Sequence, residues 1–206
     1  FNISLMDDTT PTAGEEAWDD VTDATAHSYG PTGLDTFFYQ NSSMIDGVTI
    51  GLDYIPSDGS DQIESSTAAT IKYTGIDGLT IGAGMGEDNG EGPTDADDVT
   101  AFNVTYAMDA ISVGYSSYEV DSNASSSDTT LTAMGISYAV SDDLSVSVNS
   151  AETQIEGSTD QEAFGVSASL VIGSMTLKAN HNSVENVGGT SGKDRSGYAL
   201  GLSFAF

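Results

Sequence analysis

The chain has no cysteine and very little positive charge. Its 206 residues include 4 Lys and Arg against 32 Asp and Glu, which gives a formal net charge of −28. Without cysteine, neither a disulfide framework nor a thiolate metal site can form. Nucleic acid is excluded as a partner because phosphate contacts need Lys and Arg. Attachment to an anionic membrane surface through a basic patch is excluded for the same reason.

The sequence also lacks any apolar run of about 18 residues, so it predicts no transmembrane helix. Its first residues, FNISLMDD, carry neither the basic region nor the cleavage site of a signal peptide. They read as the end of a strand, and we therefore expect the chain to be a fragment or a processed form. High net charge can indicate disorder, but the apolar residues here are periodic.

The dominant pattern is an alternation of period two, which is typical of β-strands. It predicts a single all-β domain spanning residues 1–206. Twelve strands are predicted, near residues 1–6, 35–42, 47–55, 67–74, 78–86, 99–107, 110–119, 130–140, 143–152, 162–172, 174–183 and 196–206.

Short and long connections alternate strictly between the predicted strands. The short ones contain Asp-Gly or similar pairs, which suit tight hairpins. The long ones are rich in Asp, Glu, Ser, Gly and Asn and span residues 56–66, 87–98, 120–129, 153–161 and 184–195. Repeated hairpins without helices predict an antiparallel up-and-down sheet, with every long loop at one end.

The surroundings of the apolar strand faces decide between two architectures. A soluble sandwich or lipocalin-like barrel would bury these faces, whereas a membrane barrel turns them toward lipid. The charge lies in the loops, and the second strand faces are small and almost uncharged. Strands of about 9–11 residues suit a tilted membrane crossing. Tyrosines near strand ends are typical of an aromatic girdle; they are Tyr54, Tyr73, Tyr106, Tyr118 and Tyr138. We therefore predict a transmembrane β-barrel.

The last strand, YALGLSFAF, resembles the C-terminal signature of Gram-negative outer-membrane barrels. That signature is an aromatic final residue preceded by apolar residues at every second position. Here it is matched by Tyr198, Leu200, Leu202, Phe204 and Phe206. The resemblance implies that the barrel-assembly machinery reads this strand and that the strand closes the barrel.

A second segment, GLDTFFYQNSSMIDGVTIGLDYIP, resembles trimeric general porins of the alphaproteobacterial type, just after their third loop. Residues 7–34 resemble that loop, which narrows the pore. The resemblance implies that the chain is the C-terminal three quarters of a sixteen-stranded barrel. It also implies that the protein forms a homotrimer and is surrounded by outer-membrane lipid and lipopolysaccharide. It also implies passive diffusion of small hydrophilic solutes. A complete twelve-stranded barrel is the alternative, because bacterial outer-membrane barrels have an even number of strands.

Acidic residues in the 7–34 loop are the candidate pore constriction: Glu15, Glu16, Asp19, Asp20 and Asp23. A ring of carboxylates lowers the energy of a passing cation and raises that of an anion, so we expect a cation preference. The alternative is a solvated outer loop. Candidate pore-lining residues on polar strand faces are Asp53, Lys72 and Lys178, with simple solvation in the lumen as their alternative.

The stretch EDNGEGPTDADD is a weak candidate for calcium. Its carboxylates could supply the oxygen ligands that Ca²⁺ prefers; they are Glu87, Asp88, Asp95, Asp97 and Asp98. The stretch does not match the twelve-residue calcium-loop pattern, and a solvated acidic loop is the alternative. No other cofactor is expected.

The sequence predicts no enzyme. His27 and His181 are its only histidines, and neither lies in a nucleophile motif. Besides a cation-preferring porin, two functions stay open. One is a non-conducting structural or adhesive surface barrel with acidic, divalent-ion-binding loops. The other is a soluble secreted β-protein with calcium-bound loops.

Overall fold

The computed structural model describes residues 37–57, 65–88, 97–122 and 128–205 as one antiparallel sheet in which each strand pairs with its neighbours in sequence. The strands are β1 (Phe37–Ile45), β2 (Val48–Ile55), β3 (Ser66–Ile76), β4 (Leu79–Asp88), β5 (Asp97–Met108), β6 (Ile111–Ser122), β7 (Thr129–Ala139), β8 (Leu144–Ile155), β9 (Gln161–Ile172), β10 (Met175–Glu185) and β11 (Arg195–Phe204). A 3-10 turn covers Val187–Gly189. No helix in these ranges is long and apolar enough to cross a bilayer.

These eleven strands confirm the all-β, up-and-down prediction for 37–205. The predicted strand at 1–6 lies outside the described residues. Within the described part, β1 and β11 are the two edges of an open sheet. Closure into a barrel, and a total of twelve or sixteen strands, therefore stay predictions.

The alternation of connection lengths is confirmed. Tight connections lie at 46–47, 77–78, 109–110, 140–143 and 173–174, and longer ones lie at 56–65, 89–96, 123–128, 156–160 and 186–194. Because adjacent strands are antiparallel, all the tight connections lie at one end of the sheet and all the longer ones at the other. We call these the turn end and the loop end.

The second tight connection depends on a glycine. Gly78 has a φ of +72°, and a Cβ built on it would lie 2.1 Å from the Ala107 carbonyl oxygen. The Ala107 amide donates to the Gly78 carbonyl oxygen at 2.8 Å, so the turn is held close to the next strand. Only glycine combines this backbone angle with so close an approach.

We expect Gly78→Ala to lower the free energy of unfolding by about 2 kcal/mol, because strain at positive φ adds to a backbone clash. Gly173→Ala is the matched control, since Gly173 also has a positive φ (+61°) but a Cβ there meets nothing within 4 Å. Urea unfolding of the detergent-folded protein measures both. If both variants lose the same free energy of unfolding, the close approach of Gly78 to the Ala107 carbonyl oxygen does not contribute to stability.

Burial on the strands is the reverse of that in a water-soluble sheet. One face, which we call the inner face, is buried and carries mainly small or polar side chains, such as Ser116, Ala133 and Asn149. The opposite, outer face carries large apolar side chains that are exposed. A sheet that curls over its small-residue side, as the wall of a barrel does, sorts its residues in this way.

Candidate functional site

The outer face presents a continuous apolar belt. Val113, Ile136, Val148 and Val166 are cross-strand partners on β6 to β9, and they are 40%, 46%, 43% and 37% exposed. A monomeric soluble protein rarely leaves so large an apolar surface uncovered. Hydrocarbon is the surrounding that suits it, because lipid-facing and lumen-facing residues alternate along the strands of a membrane barrel.

Four of the five predicted girdle tyrosines lie on the outer face. Tyr73, Tyr106 and Tyr138 lie near the turn end and Tyr54 near the loop end. The fifth prediction, Tyr118, was wrong, because its side chain lies on the inner face and is 1% exposed. The alternation that puts Tyr115 on the outer face of β6 puts Tyr118 on the other.

The inner face of β6 to β10 is hydroxylated and almost uncharged. One cross-strand row consists of Ser112, Ser137, Ser147, Ser167 and Asn180. The Oγ atoms of Ser147 and Ser167 are 2.7 Å apart and hydrogen-bonded. Among the described residues of these five strands, none of the chain's 32 carboxylates lies on the inner face. Hydroxyl and amide groups therefore dominate this face, and Lys178 is its one charged side chain among the described residues of these five strands.

Nearer the loop end, the inner face becomes apolar, which the sequence reading missed. Val99, Tyr118, Leu131 and Val184 are 0–3% exposed and belong to one cluster. Val187, in the last long connection, joins the cluster at 8% exposed. The alternation within each strand could have revealed this apolar cluster. Its strand residues lie two or four positions from small or polar inner-face residues of the same strand, and therefore on the same face.

All three predicted pore-lining residues lie on the inner face. Asp53 is 4% exposed and pairs with Ala68. Lys72 pairs with Gly82, and Lys178 pairs with Ser169. Both lysines are exposed, whereas Asp53 is buried; that these three residues line a pore stays a prediction.

Two further charged residues on the inner face were missed. Arg195 pairs with Val184, but the predicted last strand began at 196, one residue too late. Asp97 shares its face with Val99, at the start of β5. The inner face of the described strands thus includes three of the chain's four Lys and Arg, and the excess negative charge lies in other parts of the molecule.

The five candidate constriction carboxylates, at residues 15–23, lie outside the described residues. Their role stays a prediction.

The candidate assembly strand, β11, has the predicted alternation. Its outer side chains Tyr198, Leu200, Leu202 and Phe204 are 85%, 76%, 55% and 53% exposed, and they lie on the edge strand next to β10. Tyr198 packs on the His181 ring, with the ring centroids 4.3 Å apart. Phe206 lies outside the described residues. Recognition of this strand by an assembly machinery stays a prediction.

The weak calcium candidates are divided by the sheet. Glu87 and Asp98 are cross-strand partners on the outer face, whereas Asp97 lies on the inner face. The sheet thus directs Asp97 and Asp98 to opposite faces, and calcium binding by this stretch stays a prediction. Asp88 pairs with Asp97 through the backbone, and Asp95 is outside the described residues. Within the described ranges, no three His, Asp or Glu residues are grouped so that they could hold a metal ion.

The last long connection is held in a defined shape at the loop end. Asn186, with a φ of 54°, accepts a hydrogen bond from the Gly192 amide through Oδ1 at 3.0 Å and donates through Nδ2 to the Asp160 carbonyl oxygen at 3.0 Å. Gln161 Oε1 accepts from the Gly188 amide at 2.8 Å. The two neighbouring connections therefore form one structured rim.

A profile of the Gram-negative porin family matches residues 3–206 of the chain. No curated protein matches the sequence.

Among solved structures, Salmonella typhi OmpF in complex with daunomycin matches with a TM-score of 0.62 at 13% identity, over 83% of this chain and 61% of that chain. A mutant of the Rh. blastica porin matches with a TM-score of 0.56 at 18% identity, over 83% of this chain and 55% of that one. OmpT of Vibrio cholerae, expressed in the outer membrane, matches with a TM-score of 0.57 at 12% identity, over 96% of this chain and 75% of the OmpT chain. The chain thus has their fold and spans less than two thirds of the OmpF chain.

Proposed function

The chain belongs to the Gram-negative porin family, and we propose that it forms the wall of a water-filled channel through which small hydrophilic solutes diffuse passively. The family places it in the outer membrane as an integral protein. No covalent chemistry is part of the proposal, because passage through such a channel depends on pore width and on the groups that line it.

One observation carries the proposal, namely the reversed sorting of the two sheet faces. The outer face exposes large apolar side chains, including Phe102, Met134 and Phe164. The inner face carries a row of serines and three separated cationic side chains. A soluble sandwich or barrel would show the opposite sorting, with the large apolar side chains buried and the polar ones exposed.

The finer features of the barrel are part of the same proposal. Sixteen strands are supported by the open eleven-stranded sheet and by the match to 61% of the OmpF chain. A homotrimer of the alphaproteobacterial type is supported by the similarity of residues 33–56 to such porins. Contact with lipid and lipopolysaccharide is part of this proposal, and the apolar belt supports the contact with lipid.

Cation preference is the second part of the proposal. The support is the net charge of −28, together with the location of the described carboxylates, most of which lie in connections or on the outer face. Since the described inner face carries no excess of acidic over cationic residues, the preference has to arise from the 7–34 loop and the other connections. Calcium bound by the acidic loops would weaken it.

We expect the full-length protein to insert stepwise into planar bilayers and to show a reversal potential that favours K⁺ under a KCl gradient. Converting the candidate constriction carboxylates to amides should lower the cation-to-anion permeability ratio several-fold, since two charges about 4 Å apart interact by about 1 kcal/mol even in water. The set to convert is Glu15, Glu16, Asp19, Asp20 and Asp23.

An equal number of outer-face carboxylates is the matched control: Glu87, Asp98, Glu119, Asp121 and Glu152. Amides at these positions remove the same charge but should leave the ratio within about twofold, because screening weakens charges that do not line the pore. An equal fall in both variants would contradict the constriction. Silent insertion of a folded protein would contradict the channel and favour the surface-barrel alternative.

A further inference from the structure

A groove lies on the outer face between β7 and β10, away from the candidate pore. It has a volume of about 360 Å³, and its lining includes Met134, Ser150, Phe164 and Ser183. A second hollow of about 270 Å³ shares Met134, Ser150 and Phe164 and extends to Ile136 and Val148. The groove exists because the small Ser150 has large neighbours on both sides, Met134 on β7 and Phe164 on β9.

The two ends of the groove differ in chemistry. Toward the turn end, the groove continues into the apolar belt at Ile136 and Val148. Toward the loop end, it is lined by three carboxylates, Glu152, Glu162 and Glu185. These three are direct cross-strand partners on β8, β9 and β10. Like charges placed directly opposite each other on a sheet are destabilising.

No Lys or Arg residue lies on the outer face of the described strands. The chain's only Lys and Arg residues are Lys72, Lys178 and Arg195 on the inner face and Lys193 in the last long connection. No three acidic or histidine side chains in the described ranges are grouped to hold a metal ion. A second copy of a chain with a net charge of −28 is also poorly matched to three carboxylates.

We propose that this groove binds a membrane amphiphile with a hydrocarbon tail and a cationic, nitrogen-centred head. The tail lies in the apolar part, over Met134, Ile136 and Phe164, and the head is neutralised by Glu152, Glu162 and Glu185. A hydrocarbon chain fits because this part of the groove lies within the lipid-facing belt. The inference rests on the orientation of the sheet in the outer membrane and is independent of whether the protein conducts.

Native mass spectrometry of the folded, full-length protein in a neutral detergent tests the proposal, with a two-chain trimethylammonium lipid as the probe. We expect the triple variant Glu152→Gln, Glu162→Gln, Glu185→Gln to raise the dissociation constant of the lipid by about tenfold, because each partly exposed charge contact contributes only modestly to binding. A second variant, Ser150→Leu, should fill the groove and displace the tail while keeping the outer face apolar.

The matched control is Glu87→Gln, Asp98→Asn, Asp121→Asn. These residues form an equivalent outer-face row on β4, β5 and β6, and none of them is among the groove residues. Equal weakening by both triple variants would overturn the proposal in favour of non-specific attraction. So would tighter binding of phosphatidylglycerol than of the cationic lipid in the presence of Mg²⁺, which would indicate a metal-bridged anionic lipid. Unchanged binding in Ser150→Leu would overturn the placement of the tail.

Discussion

Val148→Arg should strongly destabilise the protein in a membrane. Val148 lies in the middle of the apolar belt, between Ile136 and Val166 on the adjacent strands, and is 43% exposed. An arginine on the lipid face near the midplane of a membrane barrel costs about 2–4 kcal/mol. We expect a loss of this size in the free energy of unfolding in lipid vesicles, with a matching fall in the folded, heat-modifiable fraction.

Gln154→Arg is the control on the same strand and the same face. Gln154 lies at the loop end of β8 and donates a hydrogen bond to Glu152 Oε1, so an arginine there has an acidic neighbour. Near the interface the cost falls to about 0–1 kcal/mol. If both variants fold equally well, the outer face is not in contact with hydrocarbon. A soluble β-protein would tolerate a charge at the exposed Val148, which is the opposite result.

The alternation of residues was sufficient to predict most of the sheet. In β8, Val146 and Val148 alternate with Ser147 and Asn149, and a strand is the only regular structure that separates these two sets. Hairpin pairing of consecutive strands then fixes the order of the sheet. The face on which each side chain lies could be predicted for the same reason. A register error of one residue would place every apolar side chain of a strand on the polar face.

Residues near strand ends were harder to assign. Arg195 was missed because β11 begins one residue earlier than predicted. A residue can be assigned to a face of the sheet only if it is known to belong to a strand. Asp97 and Asp98 were grouped as calcium candidates because they are adjacent in sequence, yet a strand directs neighbours to opposite faces. Tyr118 was assigned to the girdle by residue type, against the parity of its own strand.

Charge is sorted along the strands as well as across them. The described outer face is apolar from the turn end to the middle and becomes acidic toward the loop end, as in Phe164 followed by Glu162 on β9. The outer acidic rows on β4 to β6 and on β8 to β10 therefore lie at the same end as the acidic connections. In the proposed channel, a solute that enters from the loop end meets the acidic connections before it meets the neutral serine row, whereas the outer rows lie outside the pore and are screened. Selection by charge at the rim and passage along a neutral wall would then be separate steps.

Tyr118→Ala should have an effect as large as Val148→Arg, through packing. Among the described residues, Tyr118 is the largest fully buried side chain at 1% exposed, and its cross-strand partners Ala101 and Leu131 are 6% and 3% exposed. Removing a buried aromatic ring costs about 3–5 kcal/mol, because the small neighbours cannot collapse into the space. We expect a loss of about 3–4 kcal/mol in urea unfolding of the detergent-folded protein.

Tyr115→Ala is the matched control, because Tyr115 lies on the outer face of the same strand and is 36% exposed. Lipid or detergent can fill the space that its ring leaves, so its loss should be smaller by about 2 kcal/mol. Tyr118→Phe separates the ring from the hydroxyl and should cost no more than about 1.5 kcal/mol. Equal losses for the two alanine variants would show that the inner apolar cluster is not closely packed. Water would then reach the loop end of the inner face as well, and the proposed lumen would extend from the serine row into the region of the apolar cluster.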